Sequence, residues 1–491
     1  MPNERNTMLQ VAFESFLGKS PRWYKYTILF FLVLNPVLFF LVSPFLAGWV
    51  LLVEFIFTLA FALKCYPVPS GGLLAFQAVV MGLASPESVY AEISANLPIL
   101  MLLIFMVAGI YYIKDVLFLL FTKLFVSIRN KAAIALVFSI LSAGLSAFLD
   151  GLTLMAVIIA VCFNFFAIYH RVASTIADSE NAAEEMEQFK GFLRNIIMHG
   201  ALGTVLGGTM TMVGEPHNMM IATKMGWNFS EFFFNCAVIS VPVSIVGFIT
   251  CPLLEKFKFP GYGYELPERA RIAIEKDYEE KFTKMSPHAA YMYIVQGVVG
   301  VLLFVALALH LAEIGLLGIA LIVILTAAKG QNKEHDLSEA FTNAMPFVAL
   351  IIVFFAILAV VHDQHLIQPL TRWVFTFEGK AQLLALYFAN GVLSLISDNV
   401  FIASVFINEV EIAFKAGAFG PEWYEQLAII VNMGTNVPAI ATPNGHAAFL
   451  FLLTSSLAPL VRLSYMQMVK LAFPYTVVMT TTGGLAVYFF M

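Results

Sequence analysis

The chain has 491 residues, 60 % of them apolar and 12 % charged, about half the charged share of an ordinary soluble domain. That balance is incompatible with a soluble globule, and recurring apolar runs of roughly 18 residues or more belong in lipid. A net charge of −5 offers no basic surface to nucleic acid.

The runs are continuous, whereas barrel strands alternate over about ten residues, so a membrane β-barrel is excluded. The first 26 residues are polar and carry no cleavable signal pattern. Apolar segments then fall near 27–43, 45–63, 71–84, 97–113, 132–149, 152–169, 196–213, 232–254, 291–309, 311–328, 344–361, 381–397, 399–414, 426–441, 443–461 and 469–490. Several are too short to cross a bilayer alone. The expected fold class is an all-α polytopic membrane protein with about 12 full spans, the shorter pieces being re-entrant hairpins or broken helices. Lys19, Arg22 and Lys25 beside the first run predict a cytoplasmic N-terminus by the positive-inside rule. The domain reading is a cytoplasmic segment 1–26, a first membrane repeat 27–254, a charged linker 255–288 and a second membrane repeat 289–491. The linker holds seven basic and seven acidic residues and reads as a solvated surface. A second charged stretch spans 170–195.

Within the apolar runs, Glu54 reads equally as a site and as a helix-bridging residue. Residues 146–153, SAFLDGLT, place Asp150 inside a membrane segment, where an isolated charge costs roughly 2.5–3.5 kcal/mol. GGTMTMVGEPHNMMIAT follows at 207–223. The second half repeats the signature with SLISDNVFIASVFINEV at 394–410 and MGTNVPAIATPNGHAAF at 433–449. Each half has Ser-x-x-x-Asp, then Gly-Thr, then a proline with an asparagine close behind. Matched polar interruptions in two halves point to a transporter binding site. Gly and Pro free backbone carbonyls there, and carbonyl, hydroxyl, amide and carboxylate oxygens suit a small hard cation such as Na+. Ser146, Asp150, Thr153, Thr209 and Asn218 supply the oxygens of one pocket. Ser394, Asp398, Asn399, Thr435, Asn436 and Asn444 supply those of its counterpart. Asp150 and Asp398 are the expected titrating pair, at which H+ and Na+ compete. Glu215 reads either as a further ion ligand or as a helix cap, and His217 as a loop or capping residue.

Elsewhere, Asn408 and Glu409 read as the end of a span, and His362, Asp363 and His365 as a wetted loop where an apolar run ends. Cys65, Cys162, Cys236 and Cys251 read as packing residues, with no CxxC or Cys/His spacing. There is no nucleotide loop, HExxH or GxSxG. Ion gradients therefore supply the energy, no cofactor is called for, and a polytopic membrane enzyme is a remote alternative. A passive channel is the remaining rival, separable by its lack of coupled exchange.

KSPRWYKYTILFFLVLNP, AGWVLLVEFIFTLAFALKCYP, SAFLDGLT, IYHRVAS, VGEPHN, SDNVF, ATPNGHAAFLFLLTS and LVRLSYMQMVKLAFPYT span nearly the whole chain. Together they resemble the NhaB family of bacterial Na+/H+ antiporters. The resemblance implies electrogenic export of Na+, and of Li+, in exchange for H+ across the bacterial inner membrane. It also implies the wider ion-transporter fold: two inverted repeats, each with a re-entrant hairpin and an interrupted helix, in a homodimer with a scaffold and a moving transport domain. The family's intramembrane aspartate, in FLD-x-LT, falls on Asp150. The superfamily also contains sodium-coupled dicarboxylate symporters, the alternative transport reading. Its Ser-Asn-Thr hairpin pattern is not intact here, because SAFLDGLT and SDNV depart from it, which counts against an organic anion.

Overall fold

The structure is a computed structural model and describes residues 8–62, 64–175, 182–330, 334–397 and 399–491. Among the described residues there are helices and no β-strand. The chain divides into two compact units: residues 1–97 with 346–375, and residues 98–345 with 376–491.

The first unit contains α1 (Arg22–Leu41), α2 (Pro44–Ala60), α3 (Pro67–Met81) and α4 (Pro86–Ala95). Ser43 and Ser85 cap α2 and α4 by accepting from the backbone N–H three residues on, with proline at the first helical position. The second unit contains α5 (Lys114–Ser127), α6 (Lys131–Ser146), α7 (Gly151–Thr175), α8 (Ala182–Gly208), α9 (Pro216–Met225), α10 (Phe229–Lys256), α11 (Glu268–Thr283), α12 (Pro287–Ala308) and α13 (Ile314–Lys329). Next comes α14 (Glu334–Asp363), whose residues from 346 belong to the first unit. The second unit resumes with α15 (Lys380–Ser394), α16 (Asn399–Lys415), α17 (Pro421–Asn436), α18 (Ala447–Thr454) and α19 (Tyr465–Phe490).

Five described helices are long and apolar enough to cross a membrane, or six if a pair bent by 61° at residues 86–111 counts as one span. Discontinuity keeps others short. α6 stops at Ser146 and α7 starts at Gly151, α8 stops at Gly208 before Pro216, α15 stops at Ser394, and α17 ends ten residues before α18 begins.

Within the second unit the packing is reciprocal. α6 packs on α8 and α10, and α15 packs on α17 and α19. α9 lies on α16 and α17, while α18 lies on α7 and α8; α10 and α19 pack on each other. Exchanging α6–α10 for α15–α19 leaves this set of partners unchanged. Small residues bring the helices close: a Cβ on Gly207 would stand 1.9 Å from Ala143 O, and one on Gly434 would stand 2.8 Å from Tyr387 O.

Three segments differ from the sequence reading. The stretch 255–288 is only partly solvated: Glu255, Tyr262 and Arg271 are buried, and Arg271 donates to Ile128 O and Arg129 O just past the end of α5. A guanidinium there satisfies carbonyls that have no helical partner. Asn408 and Glu409 do not end a span, because α16 continues to Lys415. His362 and Asp363 form the last turn of α14, where His362 Nδ1 lies 2.6 Å from Glu92 Oε1 and Asp363 accepts from Ser85 N and Ser88 Oγ. They brace α4 rather than line a wetted loop. Among the described residues no three His, Cys, Asp or Glu side chains group as metal ligands would. The four cysteines are buried and unpaired with one another, and Cys236 Sγ also accepts from Asn432 Nδ2 at 3.3 Å.

Candidate functional site

The second unit brings its four interrupted segments together. Asp150 is the residue before α7 and is 1 % exposed. Its Oδ2 accepts from Thr153 N at 3.1 Å and Thr153 Oγ1 at 3.2 Å, so the carboxylate caps the start of its own helix. Among the described residues no Lys or Arg forms an ion pair with it. Gly151 follows, and a Cβ there would lie 3.6 Å from Glu215 Oε1 and 3.7 Å from Ser146 Oγ. Ser146, Asp150 and Glu215 thus surround one point, although they come from two different breaks.

Glu215 holds the cap position of α9, yet its side chain makes no capping bond. Its Oε1 instead lies 3.7 Å from His446 Nδ1, at the corresponding position before α18. The capping alternative is thereby set aside. His217 is not a loop residue: Pro216 starts a helix, and His217 is fully buried one position into it. Asn436 Nδ2 lies 2.9 Å from His217 Nε2 and 3.3 Å from Asn218 Oδ1, and it also reaches Asn432 Oδ1 at 2.9 Å. An amide nitrogen only donates, so His217 Nε2 accepts and its proton sits on Nδ1, which has no partner. His446 Nε2 donates to Asn436 O at 2.8 Å, so neutral His446 presents Nδ1 as an acceptor, and Asn399 Nδ2 meets it at 3.3 Å.

Much of this polar chemistry repairs the broken helices. Thr211 Oγ1 donates to Ala147 O at 2.5 Å. Asn218 Nδ2 donates to Gly208 O and Thr211 O, both at 2.7 Å. Thr442 Oγ1 donates to Leu395 O at 2.7 Å, and Asn432 Nδ2 crosses between the halves to Thr209 O at 3.5 Å. The hydroxyls of Thr209 and Thr435 donate to carbonyls of their own helices. Asn218, expected as an ion ligand, has both ends of its amide engaged and acts as a brace; Thr209 and Thr435 spend their protons in the same way.

The oxygens left over are informative. Ser146 Oγ, Ser394 Oγ, Ser397 Oγ, Asn399 Oδ1, Asn436 Oδ1 and Asn444 Oδ1 are buried with no hydrogen-bond partner among the described residues. Bare buried acceptors are costly, at about 1–3 kcal/mol each, and they are the atom types a hard cation takes. Asp398, the second expected carboxylate, lies outside the described residues; its neighbours Ser397 and Asn399 are among the bare oxygens. Ser397, Asn432 and His446 went unmarked in the sequence. Ser397 adjoins Asp398 and His446 ends the PNGH motif, but the use of Asn432 and His446 depends on contacts across the two halves.

Comparison with known proteins shows the family. The profile of the family described as "Bacterial Na+/H+ antiporter B (NhaB)" matches residues 5–491. The Na(+)/H(+) antiporter NhaB of Saccharophagus degradans is 53 % identical over 490 residues, 97 % of this chain and 98 % of that protein. The protein of the same name from Pectobacterium carotovorum is 52 % identical over 489 residues, covering 97 % of this chain and 93 % of its own length. That from Hahella chejuensis is 51 % identical over 491 residues, 98 % of each. With half its residues shared along almost its full length, the chain belongs to the NhaB family of bacterial Na+/H+ antiporters.

Proposed function

We propose that this chain is a secondary transporter of the bacterial inner membrane that expels Na+ in exchange for H+. Asp150 carries the exchange: it is buried, it has no cationic partner among the described residues, and it stands at a helix break beside Ser146 and Glu215. A carboxylate in that position is neutralised either by a proton or by Na+. One site that holds either ion but not both couples the two fluxes. Bare oxygens at the second break, Ser394, Ser397, Asn399 and Asn444, support a counterpart site centred on Asp398. The reciprocal packing of α6–α10 and α15–α19 supports the two-repeat reading. Unequal ion numbers, Li+ as a further substrate, a homodimer and a cytoplasmic N-terminus complete the proposal on the strength of family resemblance and of Lys19, Arg22 and Lys25. The relatives' names give no support to the anion-symport or membrane-enzyme alternatives.

The test is a Na+ pulse to everted vesicles containing a trapped pH dye. Asp150→Asn keeps the shape and removes the charge, and the variant is expected to insert normally and lose Na+-driven proton flux. Full flux from that variant would remove Asp150 from the mechanism.

A further inference from the structure

The first unit holds a second buried carboxyl, on α2. Pro36 lies inside α1 and has no N–H, so Leu32 O loses its helical donor. Gln77, on α3, fills the gap, its Nε2 donating to Leu32 O at 2.5 Å. A carbonyl only accepts, so this contact fixes the Gln77 amide and turns its Oε1 toward α1. Asn35 Nδ2 donates to that Oε1 at 3.2 Å, which fixes the Asn35 amide in turn. The same Nδ2 donates to Glu54 Oε2 at 2.7 Å. A missing proline N–H thus sets the direction of a chain that ends on Glu54.

Two atoms at the end of this chain stay bare. Among the described residues Glu54 Oε1 and Asn35 Oδ1 have no hydrogen-bond partner, and their residues are 2 % and 0 % exposed. Among the described residues no Lys, Arg or His forms an ion pair with Glu54. An amide and a carboxyl that share one N–H···O bond have one further pairing available, O–H to the amide oxygen. The two bare atoms, one carboxyl oxygen and one amide oxygen, are the two kinds of atom that pairing joins.

We propose that Glu54 is a proton-binding site of the first unit. One proton on Oε1, donated to Asn35 Oδ1, closes the acid–amide pair and satisfies both bare atoms together. Na+ is the poorer occupant: the cluster offers it two unengaged oxygens, whereas hard cations gather about six.

Infrared difference spectra of the full-length protein in lipid nanodiscs, in Na+-free buffer, test this. The wild type is expected to show a protonated-carboxyl C=O stretch that Glu54→Gln loses and Asn35→Ala shifts, because the acid then lacks its acceptor. Gln places an N–H where the acid has its O–H, so Glu54→Gln is expected to fold. Difference bands of an ionised carboxylate alone would overturn the proposal. So would a Glu54-dependent band that moves on adding Na+ alone, an Asn35→Ala spectrum identical to wild type, or failure of Glu54→Gln to fold.

Discussion

Asn436→Ala is the sharpest probe of the way the two halves are joined. Asn436 Nδ2 faces His217 Nε2, Asn218 Oδ1 and Asn432 Oδ1, all within 3.3 Å. Truncation removes two N–H donors from three fully buried acceptors, His217 Nε2, Asn218 Oδ1 and Asn432 Oδ1, so two of them lose a partner. Each costs about 1–3 kcal/mol when left bare, so the pair amounts to roughly 2–6 kcal/mol. Asn436→Asp, which keeps the shape but replaces donor with acceptor, is expected to be as damaging. Thermal melting of the purified protein reads the stability loss, and everted vesicles read the exchange. The cycle with Asn218→Ala adds a quantitative check: the two share a bond, so their effects are expected to fall short of additivity by about 0.5–3 kcal/mol. Wild-type melting and exchange in Asn436→Ala, or full additivity in the cycle, would refute the claim that this amide holds the halves together.

Two further substitutions probe the geometry. Gly207→Ala puts a Cβ 1.9 Å from Ala143 O, far inside an ordinary contact, and α6 and α8 must part to admit it. Overpacking of this kind costs about 1–3 kcal/mol, and it disturbs the bond between Thr211 Oγ1 and Ala147 O; a lowered melting temperature with lost exchange is expected, and Gly151→Ala, whose Cβ meets only ordinary contacts at 3.6 Å or more, serves as a control for the melting temperature alone. Glu215→Gln removes the carboxylate that lies 3.7 Å from His446 while keeping its size; melting is expected to hold and exchange to fall about tenfold, equivalent to about 1.4 kcal/mol in the rate-limiting barrier, whereas unchanged exchange would leave Glu215 a packing residue.

The sequence revealed where the helices break, and much less about what closes the breaks. Gly, Pro and Ser-x-x-x-Asp mark positions 146–153, 207–218, 394–399 and 434–446, because those residue types disturb a helix wherever they fall. The donors that repair the breaks come from afar. His217 and Asn436 are 219 residues apart, and only the packing of α9 across α16 and α17 makes them neighbours. A reading of His217 from its own surroundings therefore gave a loop. Glu54 shows the same limit: Pro36 is plain in the sequence, but the side chain that answers it lies 45 residues from Leu32. Helix length is a poor guide to the number of spans for a related reason, since an interrupted crossing element is neither one long helix nor an independent short one.

The division of labour among these polar groups bears on what the site accepts. Helix breaks in lipid release carbonyl oxygens, and every one without a partner is costly. Here the donors Thr211 Oγ1, Thr442 Oγ1, Asn218 Nδ2 and Asn432 Nδ2 are spent on those carbonyls, and among the described residues His217 Nδ1–H is a donor left over. What remains is a surplus of acceptors: the Asp150 and Glu215 carboxylates and the bare oxygens of Asn399, Asn436 and Asn444. Such a surplus repels an anion and is relieved by positive charge. A proton relieves it at one oxygen, and Na+ relieves it at several together. On the proposed reading the backbone repair itself favours a cation, and it gives Asn218 and Thr211 a part in ion choice beside the carboxylates.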